Sequence, residues 1–139
     1  MARLRSILTV TVLALAGVAL AAAAGPAALS GASPGLWEID GVPGARAAAR
    51  ECVADVAALS QFEHRRVTCS RTVLTDAGNS TVIQYVCPGG GFGRSKLTMI
   101  TPRSIRVETQ GISDSLPFNY VLQARRVGDC PGPSSASAH

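Results

Sequence analysis

The sequence has no Cys-x-x-Cys pair, no Gly-x-Ser-x-Gly element and no strongly basic run. Without closely spaced cysteines, a zinc knuckle and a thioredoxin-like redox centre are both disfavoured. Without the serine element, nothing supports an α/β-hydrolase nucleophile. Thirteen Lys and Arg residues stand against nine Asp and Glu residues, and two of the arginines lie in the N-terminal leader, which leaves a net charge of +2. That excess is too small to predict binding to nucleic acid or to a membrane surface.

The sequence also lacks an apolar run long enough to span a membrane. Two arginines precede an apolar segment from Ile7 to Leu20, whereas a spanning helix needs about twenty apolar residues. A short apolar core behind positive charges, followed by small residues, is typical of a cleaved export signal. We therefore expect residues 1–24 to be a signal peptide and the mature chain to lie in the periplasm, with no stable membrane span. Three alanines offer cleavage points: Ala21, Ala23 and Ala24.

All four cysteines lie in the exported part of the chain, where an oxidising compartment lets disulfides persist. They are Cys52, Cys69, Cys87 and Cys130. An even number favours two bridges, for which three connectivities exist. The wide separations, with His64 as the one internal histidine, do not match the closely spaced ligand pairs of structural zinc sites. We expect no metal and no cofactor.

Residues 69–87 predict a β-hairpin, because two segments rich in Thr, Val and Ile flank a turn-like Asp-Ala-Gly-Asn. Opposed residues in such a hairpin have numbers that add to a constant, which is 156 when the turn centres on Gly78. Directly opposed residues lie about 4.5 to 5.5 Å apart at Cα, within the range of a disulfide. The register opposes Cys69 with Cys87, Val73 with Ile83, and Thr75 with Thr81. We therefore expect the bridges Cys69–Cys87 and Cys52–Cys130.

The N-terminal part of the mature chain predicts a strand, a turn and a helix. Residues 25–33 lack an apolar period and are expected to be a flexible spacer. Residues 35–40 alternate, with Trp37 and Ile39 on one face, as in a half-buried strand. Residues 40–44 read as a turn. Residues 45–53 are compatible with either helix or strand. A short helix follows from Ala54, with the apolar stripe Val56, Leu59 and Phe62.

A second hairpin is predicted between residues 95 and 110, with Pro102 at its turn. A register in which the numbers of opposed residues add to 204 places the apolar side chains on one face, since Leu97 then opposes Val107 and Met99 opposes Ile105. The other face pairs Lys96 with Glu108 and Thr98 with Arg106. The last strand, residues 116–127, has the alternating apolar residues Leu116, Phe118, Tyr120, Leu122 and Ala124.

Together these elements predict a mainly β (α+β) domain over residues 34–130. We expect a curved, antiparallel sheet of five to six strands arranged in hairpins, with one short helix and two disulfides. Residues 131–139 are expected to be a disordered tail.

Two segments carry residue types that occur in active sites. The glycine-rich residues 88–95 resemble a phosphate cradle, but phosphate loops lead into a helix and this one leads into a predicted strand. A wide turn that lets the chain or the Phe92 ring pack closely is favoured. His64 ends the predicted helix, where a histidine is commonly an exposed capping residue. Asn79 begins a glycosylation sequon, but we interpret Asn79 as a turn-forming residue.

Three segments together resemble a bacterial family known as domain of unknown function 3617. They are Pro-Gly-Leu-Trp-Glu-Ile at residues 34–39, the series Cys52, Cys69 and Cys87, and the closing residues 120–130. Members are small exported proteins of the bacterial envelope without an established activity. The resemblance implies export, disulfides and a β-rich domain, and it implies no catalytic residue. This chain has a short turn near residue 42 where many relatives carry a longer insertion.

We expect a non-catalytic periplasmic domain that binds a small apolar ligand or an envelope partner through a concave sheet. A ligand site would be lined by Trp37, Met99, Phe118 and Tyr120. One alternative is a hydrolase-type enzyme in which His64 acts with a nearby serine. The other is a structural or protein-interaction domain, which an exposed apolar patch or an unprotected sheet edge would favour.

Overall fold

The computed structural model describes residues 25–132 and shows one seven-stranded antiparallel sheet. The strands run in the spatial order β2-β1-β7-β6-β5-β4-β3. Their bounds are β1 Gly35–Asp40, β2 Ala49–Val53, β3 Ser70–Ala77, β4 Ser80–Val86, β5 Phe92–Thr101, β6 Ser104–Ser113 and β7 Leu116–Gly128. The expected fold class is therefore confirmed, and the strand count is seven because residues 49–53 form a strand against β1.

The hairpin of β3 and β4 confirms the predicted register near the disulfide and corrects it near the turn. Val73 opposes Ile83 as predicted. The expected pair of Thr75 with Thr81 is wrong, because Leu74 is inserted as a β-bulge and Thr75 opposes Val82 instead. A bulge adds one residue to one strand, so the loop has two residues, Gly78 and Asn79, and Gly78 takes φ of 60°.

The hairpin of β5 and β6 has the predicted register as far as Met99, and a bulge at Ile100 shifts it at the turn, where Thr101 opposes Ser104. Leu97 opposes Val107 and Met99 opposes Ile105, while Lys96 opposes Glu108 on the other face. The next hairpin, of β6 and β7, turns at Asp114 and Ser115, which have φ of 49° and 65°. Positive φ at both central residues is the geometry of a type I′ turn, whose twist matches that of the flanking strands.

One face of the sheet, here called the inner face, carries the hydrophobic core. Trp37 and Ile39 of β1 are fully buried on this face, as their alternation predicted. The short helix Val56–His64 covers it, and the predicted stripe of Val56, Leu59 and Phe62 is buried against the sheet. Asp55 caps this helix by accepting a hydrogen bond from the amide of Ala57 at 3.0 Å.

The segment before β1 is ordered, so the prediction of a flexible spacer over residues 25–33 is wrong. Residues Ala27–Leu29 form a 3₁₀ turn in which Leu29 is 5% exposed and joins the core. Asp76 of β3 accepts hydrogen bonds from the amides of Ala27 and Ala28 at 2.7 and 2.9 Å. A carboxylate that accepts two backbone amides ties this segment to the edge of the sheet.

Two disulfides join the described chain, with the expected pairing. Cys69–Cys87 links the start of β3 to the end of β4, with a Cα separation of 4.2 Å. Cys52–Cys130 links β2 to the segment after β7, with a Cα separation of 5.4 Å. The predicted signal peptide over residues 1–24 and most of the predicted tail, residues 133–139, lie outside the described residues.

Candidate functional site

The four residues predicted to line a ligand site do not come together in the structure. Trp37 is fully buried in the core, opposite Arg126 of β7. Met99 is partly buried and packs against that core. Phe118 lies eight residues from Arg126 along the same strand, near its other end, and neighbours Tyr120 with ring centroids 5.7 Å apart. Ligand binding by this set stays a prediction.

A polar and aromatic cluster lies at the Phe118 end of the inner face. His64 Nδ1 is hydrogen-bonded to the Tyr85 hydroxyl at 3.1 Å. The Tyr120 hydroxyl donates a hydrogen bond to Glu63 at 2.6 Å. Burial, and to a smaller extent the charge of Glu63, raises the pKa of Tyr85 to about 12. Burial and the hydrogen bond to Glu63 raise the pKa of Tyr120 well above its usual range. Both tyrosines therefore stay protonated near pH 10, where a free tyrosine ionises.

Three glycines make room for the rings of this cluster. A Cβ at Gly91 would overlap the His64 ring, and a Cβ at Gly93 would lie 2.6 Å from the Tyr85 hydroxyl oxygen. A Cβ at Gly111 would lie 2.8 Å from the Phe118 ring. The glycine-rich segment therefore serves close packing, as favoured from the sequence, but the rings it receives are those of His64 and Tyr85.

His64, the base of the hydrolase-type alternative, forms no hydrogen bond with a serine among the described residues. His64 is half-buried, not an exposed capping residue, and among the described residues its side-chain hydrogen bond is to Tyr85. Ser113 lines the same cleft, of about 400 Å³, but forms no hydrogen bond with His64. A nucleophile and its base are often further apart in the absence of substrate, so the hydrolase-type alternative stays a prediction. Across residues 25–132, His, Cys, Asp and Glu side chains form no group suited to a metal ion.

The other face of the sheet, the outer face, carries a row of apolar side chains where the sequence suggested none. Direct cross-strand partners link the four members, since Val86 opposes Phe92, Phe92 opposes Ile112 and Ile112 opposes Pro117. Val86 is 54% exposed and Phe92 is 47% exposed. We call these four residues the apolar row. It is contiguous over four strands and lies on the face that the helix does not cover.

A groove runs from the apolar row toward the middle of the outer face. Its two adjoining parts measure about 570 and 530 Å³. Next to the apolar row lies a polar row of register partners, the amide row: Gln84, Arg94, Gln110 and Asn119. Arg94 donates a hydrogen bond to Gln84 at 3.1 Å, which fixes its guanidinium over the groove floor.

The two cations of the groove form no ion pair with a carboxylate of the described chain, although Glu108 lines the same groove. Arg94 and the adjacent Lys96 take part in no ion pair among residues 25–132. Glu108 lies opposite Lys96, but its ion pair is to Arg106 at 3.5 Å. By contrast, Arg50 and Arg125 at the far end of the outer face both contact Glu38. The positive charge of the groove floor is thus available to an external group.

Sequence reasoning placed Lys96 and Glu108 on this face but missed the apolar row. The signal was present in the period-two alternation of residues 92, 94 and 96. Phe92 was instead assigned to the glycine-rich turn, because glycines surround it. Its strand in fact begins at Phe92 itself.

The sheet has two edges, and β3 forms the more open one. All eight residues of β3 are exposed. Exposed edges template pairing with other chains unless bulges and charges interrupt them. The Leu74 bulge, together with Arg71 and Asp76, interrupts this one.

The fold and its two bridges define a class of small, disulfide-stapled antiparallel sheet domains with a helix on one face. Within that class, the chain belongs to the family described as protein of unknown function (DUF3617), whose model matches residues 32–130. No curated protein matches the chain significantly. No solved structure does either. In the described residues, no helix has the length and apolar content needed to cross a membrane.

Proposed function

We propose that this protein is an exported, non-catalytic domain of the bacterial envelope that binds a protein partner on the outer face of its sheet. The apolar row carries the proposal. Exposed apolar residues are ordinary when scattered, whereas a contiguous patch rimmed by polar groups is typical of an interaction surface. Here Phe92 supplies an aromatic centre, and the amide row supplies the polar rim.

Export is supported by the leader and by the disulfides together. The leader predicts passage into an oxidising compartment. All four cysteines are paired in the structure. Two bridges are large contributions for a domain of this size, since each is worth about 2 to 4 kcal/mol. The disulfides stabilise the domain only in a compartment where thiols are oxidised, which supports residence in the periplasm.

A protein partner fits the geometry better than a small apolar ligand. The inner face, where the ligand was expected, is filled by its own side chains, with Trp37, Leu97 and Leu122 all fully buried. The outer groove is wide and shallow, with polar and apolar residues side by side. Small-molecule sites usually enclose most of their ligand. An open groove with an exposed aromatic residue resembles the surfaces that bind protein segments.

In-cell photo-crosslinking tests this function. A photoreactive phenylalanine analogue replaces Phe92 in one variant and Pro117 in a second, and both are expressed in cells of the native host. We expect both positions to give an adduct with the same envelope protein, identified by mass spectrometry. The control places the analogue at Ile100, which is 58% exposed at the far end of β5.

A second measurement tests whether binding of the partner depends on the apolar row. Once identified, the partner is purified and its affinity is measured for the Phe92→Ser and Ile100→Ser variants. Aromatic anchors commonly account for 2 kcal/mol or more of binding, so we expect Phe92→Ser to weaken binding by roughly thirtyfold. An adduct that forms equally from all three positions, or none from Phe92 and Pro117, would refute the proposal.

A further inference from the structure

The outer groove combines three features that together specify the chemistry of a ligand. They are the apolar row, two cations without an ion pair among the described residues, and the two-residue repeat of the β5 side chains. Resting on the function proposed above, we propose that the partner contributes an extended segment. In that segment, which runs in the same direction as β5, an apolar residue at position i is followed by Asp or Glu at position i+2. The apolar side chain contacts Phe92 and Ile112, and the carboxylate contacts Arg94.

The spacing follows from β5 itself. Phe92, Arg94 and Lys96 alternate onto the outer face, so they repeat at about 6.4 to 6.8 Å along the strand. An extended peptide lying along the groove has the same period, and its residues i and i+2 point to the same side. When the segment runs in the same direction as β5, an apolar side chain over Phe92 sets the side chain two residues later over Arg94.

The positive charges of the groove favour an acidic residue at position i+2 of the segment. Arg94 is held by Gln84 and has no carboxylate partner among the described residues. A guanidinium binds a carboxylate through paired, charge-assisted hydrogen bonds. Lys96 lies on the same face two residues further along, and its flexible stem lets the ammonium approach the same carboxylate. One carboxylate thus meets two cations.

The amide row suits the backbone of such a segment. Gln110 and Asn119 lie beside Arg94 across β6 and β7 and line both parts of the groove. Side-chain amides donate and accept hydrogen bonds, as peptide groups do. A fully apolar ligand would leave these groups without partners, which costs binding free energy.

Glu108 disfavours a second acidic residue at position i+4 of the segment. It lies opposite Lys96 and next to the place where residue i+4 of the segment would fall. A second acidic residue there would meet a like charge, which opposes binding. The preferred segment therefore has one carboxylate, at i+2, and a neutral residue at i+4.

Three synthetic peptides test this inference on the disulfide-bonded chain. The first contains Leu-Thr-Glu-Thr-Thr between flexible ends, the second replaces Glu with Gln, and the third moves Glu next to Leu. Titrations are followed by the backbone amide signals of isotopically labelled protein. We expect the first peptide to shift signals of β5 and β6 and to bind about tenfold more tightly than the other two.

Two arginine variants locate the interaction. Arg94→Gln should weaken binding of the first peptide about tenfold and remove its preference over the Gln peptide. Arg103→Gln removes an equal charge at the far turn of the same hairpin and should leave the affinity unchanged. Neither side chain is buried, so both variants are expected to fold.

The outcomes separate this inference from the proposed function. Equal binding of the Glu and Gln peptides, no binding by any peptide, or unchanged binding by Arg94→Gln would each overturn the acidic motif. The crosslinking from Phe92 would then still decide whether a protein binds there. Signals of the apolar row that shift with protein concentration alone would assign the face to a second copy of this chain and overturn the acidic segment.

Discussion

Replacing Gly93 with alanine tests the packing that the glycine-rich segment permits. Gly93 of β5 opposes Tyr85 of β4. A Cβ at residue 93 would lie 2.6 Å from both Cζ and the hydroxyl oxygen of Tyr85, whereas carbon atoms pack best at about 3.5 to 4.0 Å. Tyr85 is fully buried and its hydroxyl is bonded to His64. The ring therefore has no free space into which to move.

The expected cost follows from these contacts. Forcing an extra methyl group into a packed site costs about 1 to 3 kcal/mol. Displacing the Tyr85 ring also weakens its hydrogen bond to His64, which contributes about 0.5 to 1.5 kcal/mol. The alanine recovers about 0.4 to 1 kcal/mol through the entropy of the unfolded chain. We expect Gly93→Ala to lower the free energy of unfolding by about 0.5 to 4 kcal/mol, with a central value of about 2 kcal/mol.

Urea unfolding followed by Trp37 fluorescence, with both disulfides intact, measures this change. Gly128→Ala is the matched control, because a Cβ there meets no atom within 4 Å and the substitution should be neutral or stabilising. In a Tyr85→Leu background, the cost of Gly93→Ala should fall by at least about 1 kcal/mol. A Gly93→Ala protein as stable as the wild type, or an equal cost in both backgrounds, would refute the reasoning.

Three further predictions concern the stability of the domain. Ser115→Gly should raise the free energy of unfolding by about 0.5 to 1 kcal/mol, measured in urea, because Ser115 has φ of 65° in a type I′ turn. Replacing both Cys69 and Cys87 with serine should lower the melting temperature, since closing their loop is worth about 3 kcal/mol; an unchanged melting temperature would contradict a structural role. Stability should also fall as the pH rises from about 10 to 12, because unfolded tyrosines lose their protons near pH 10 whereas folding raises the pKa of Tyr85 to about 12 and raises that of Tyr120 as well. Urea unfolding at pH 9 and 11 checks this, and the double variant Tyr85→Phe and Tyr120→Phe should reduce the difference.

The hairpin registers were predictable where side chains separate by face. Leu97 and Met99 can meet Val107 and Ile105 only in one register, since a slip by one residue would place polar side chains in the core. The Cys69–Cys87 pair followed from the same reasoning. The bulge at Leu74 was not predictable, because neither glycine nor proline marks it and Leu74 is exposed in either register.

The strand over residues 49–53 could not be assigned from its own residues. Its alanines and charged side chains give no clear period, and its conformation depends on pairing with β1 and on the bridge at Cys52. The ordered segment at Ala27–Leu29 escaped notice for a related reason. Its order comes from Asp76, 48 or 49 residues away in sequence, and no local pattern reveals so distant a contact.

The candidate site was less predictable than the fold. Faces of single strands can be read from alternation, but the apolar row exists only because Val86, Phe92, Ile112 and Pro117 become cross-strand neighbours. That alignment depends on the registers of three hairpins at once. The residues predicted to line a ligand site lie apart for the converse reason, since Trp37 opposes Arg126 at one end of β7 whereas Phe118 lies near the other end.

The affinity of the crosslinked partner for the Phe92→Ser and Ile100→Ser variants tests the central claim most directly. Both residues are exposed on β5, at 47% and 58%, but only Phe92 belongs to the apolar row. If the row is the binding surface, Phe92→Ser weakens binding by roughly thirtyfold and Ile100→Ser leaves it unchanged. Equal affinities for both variants and the wild type would contradict the claim.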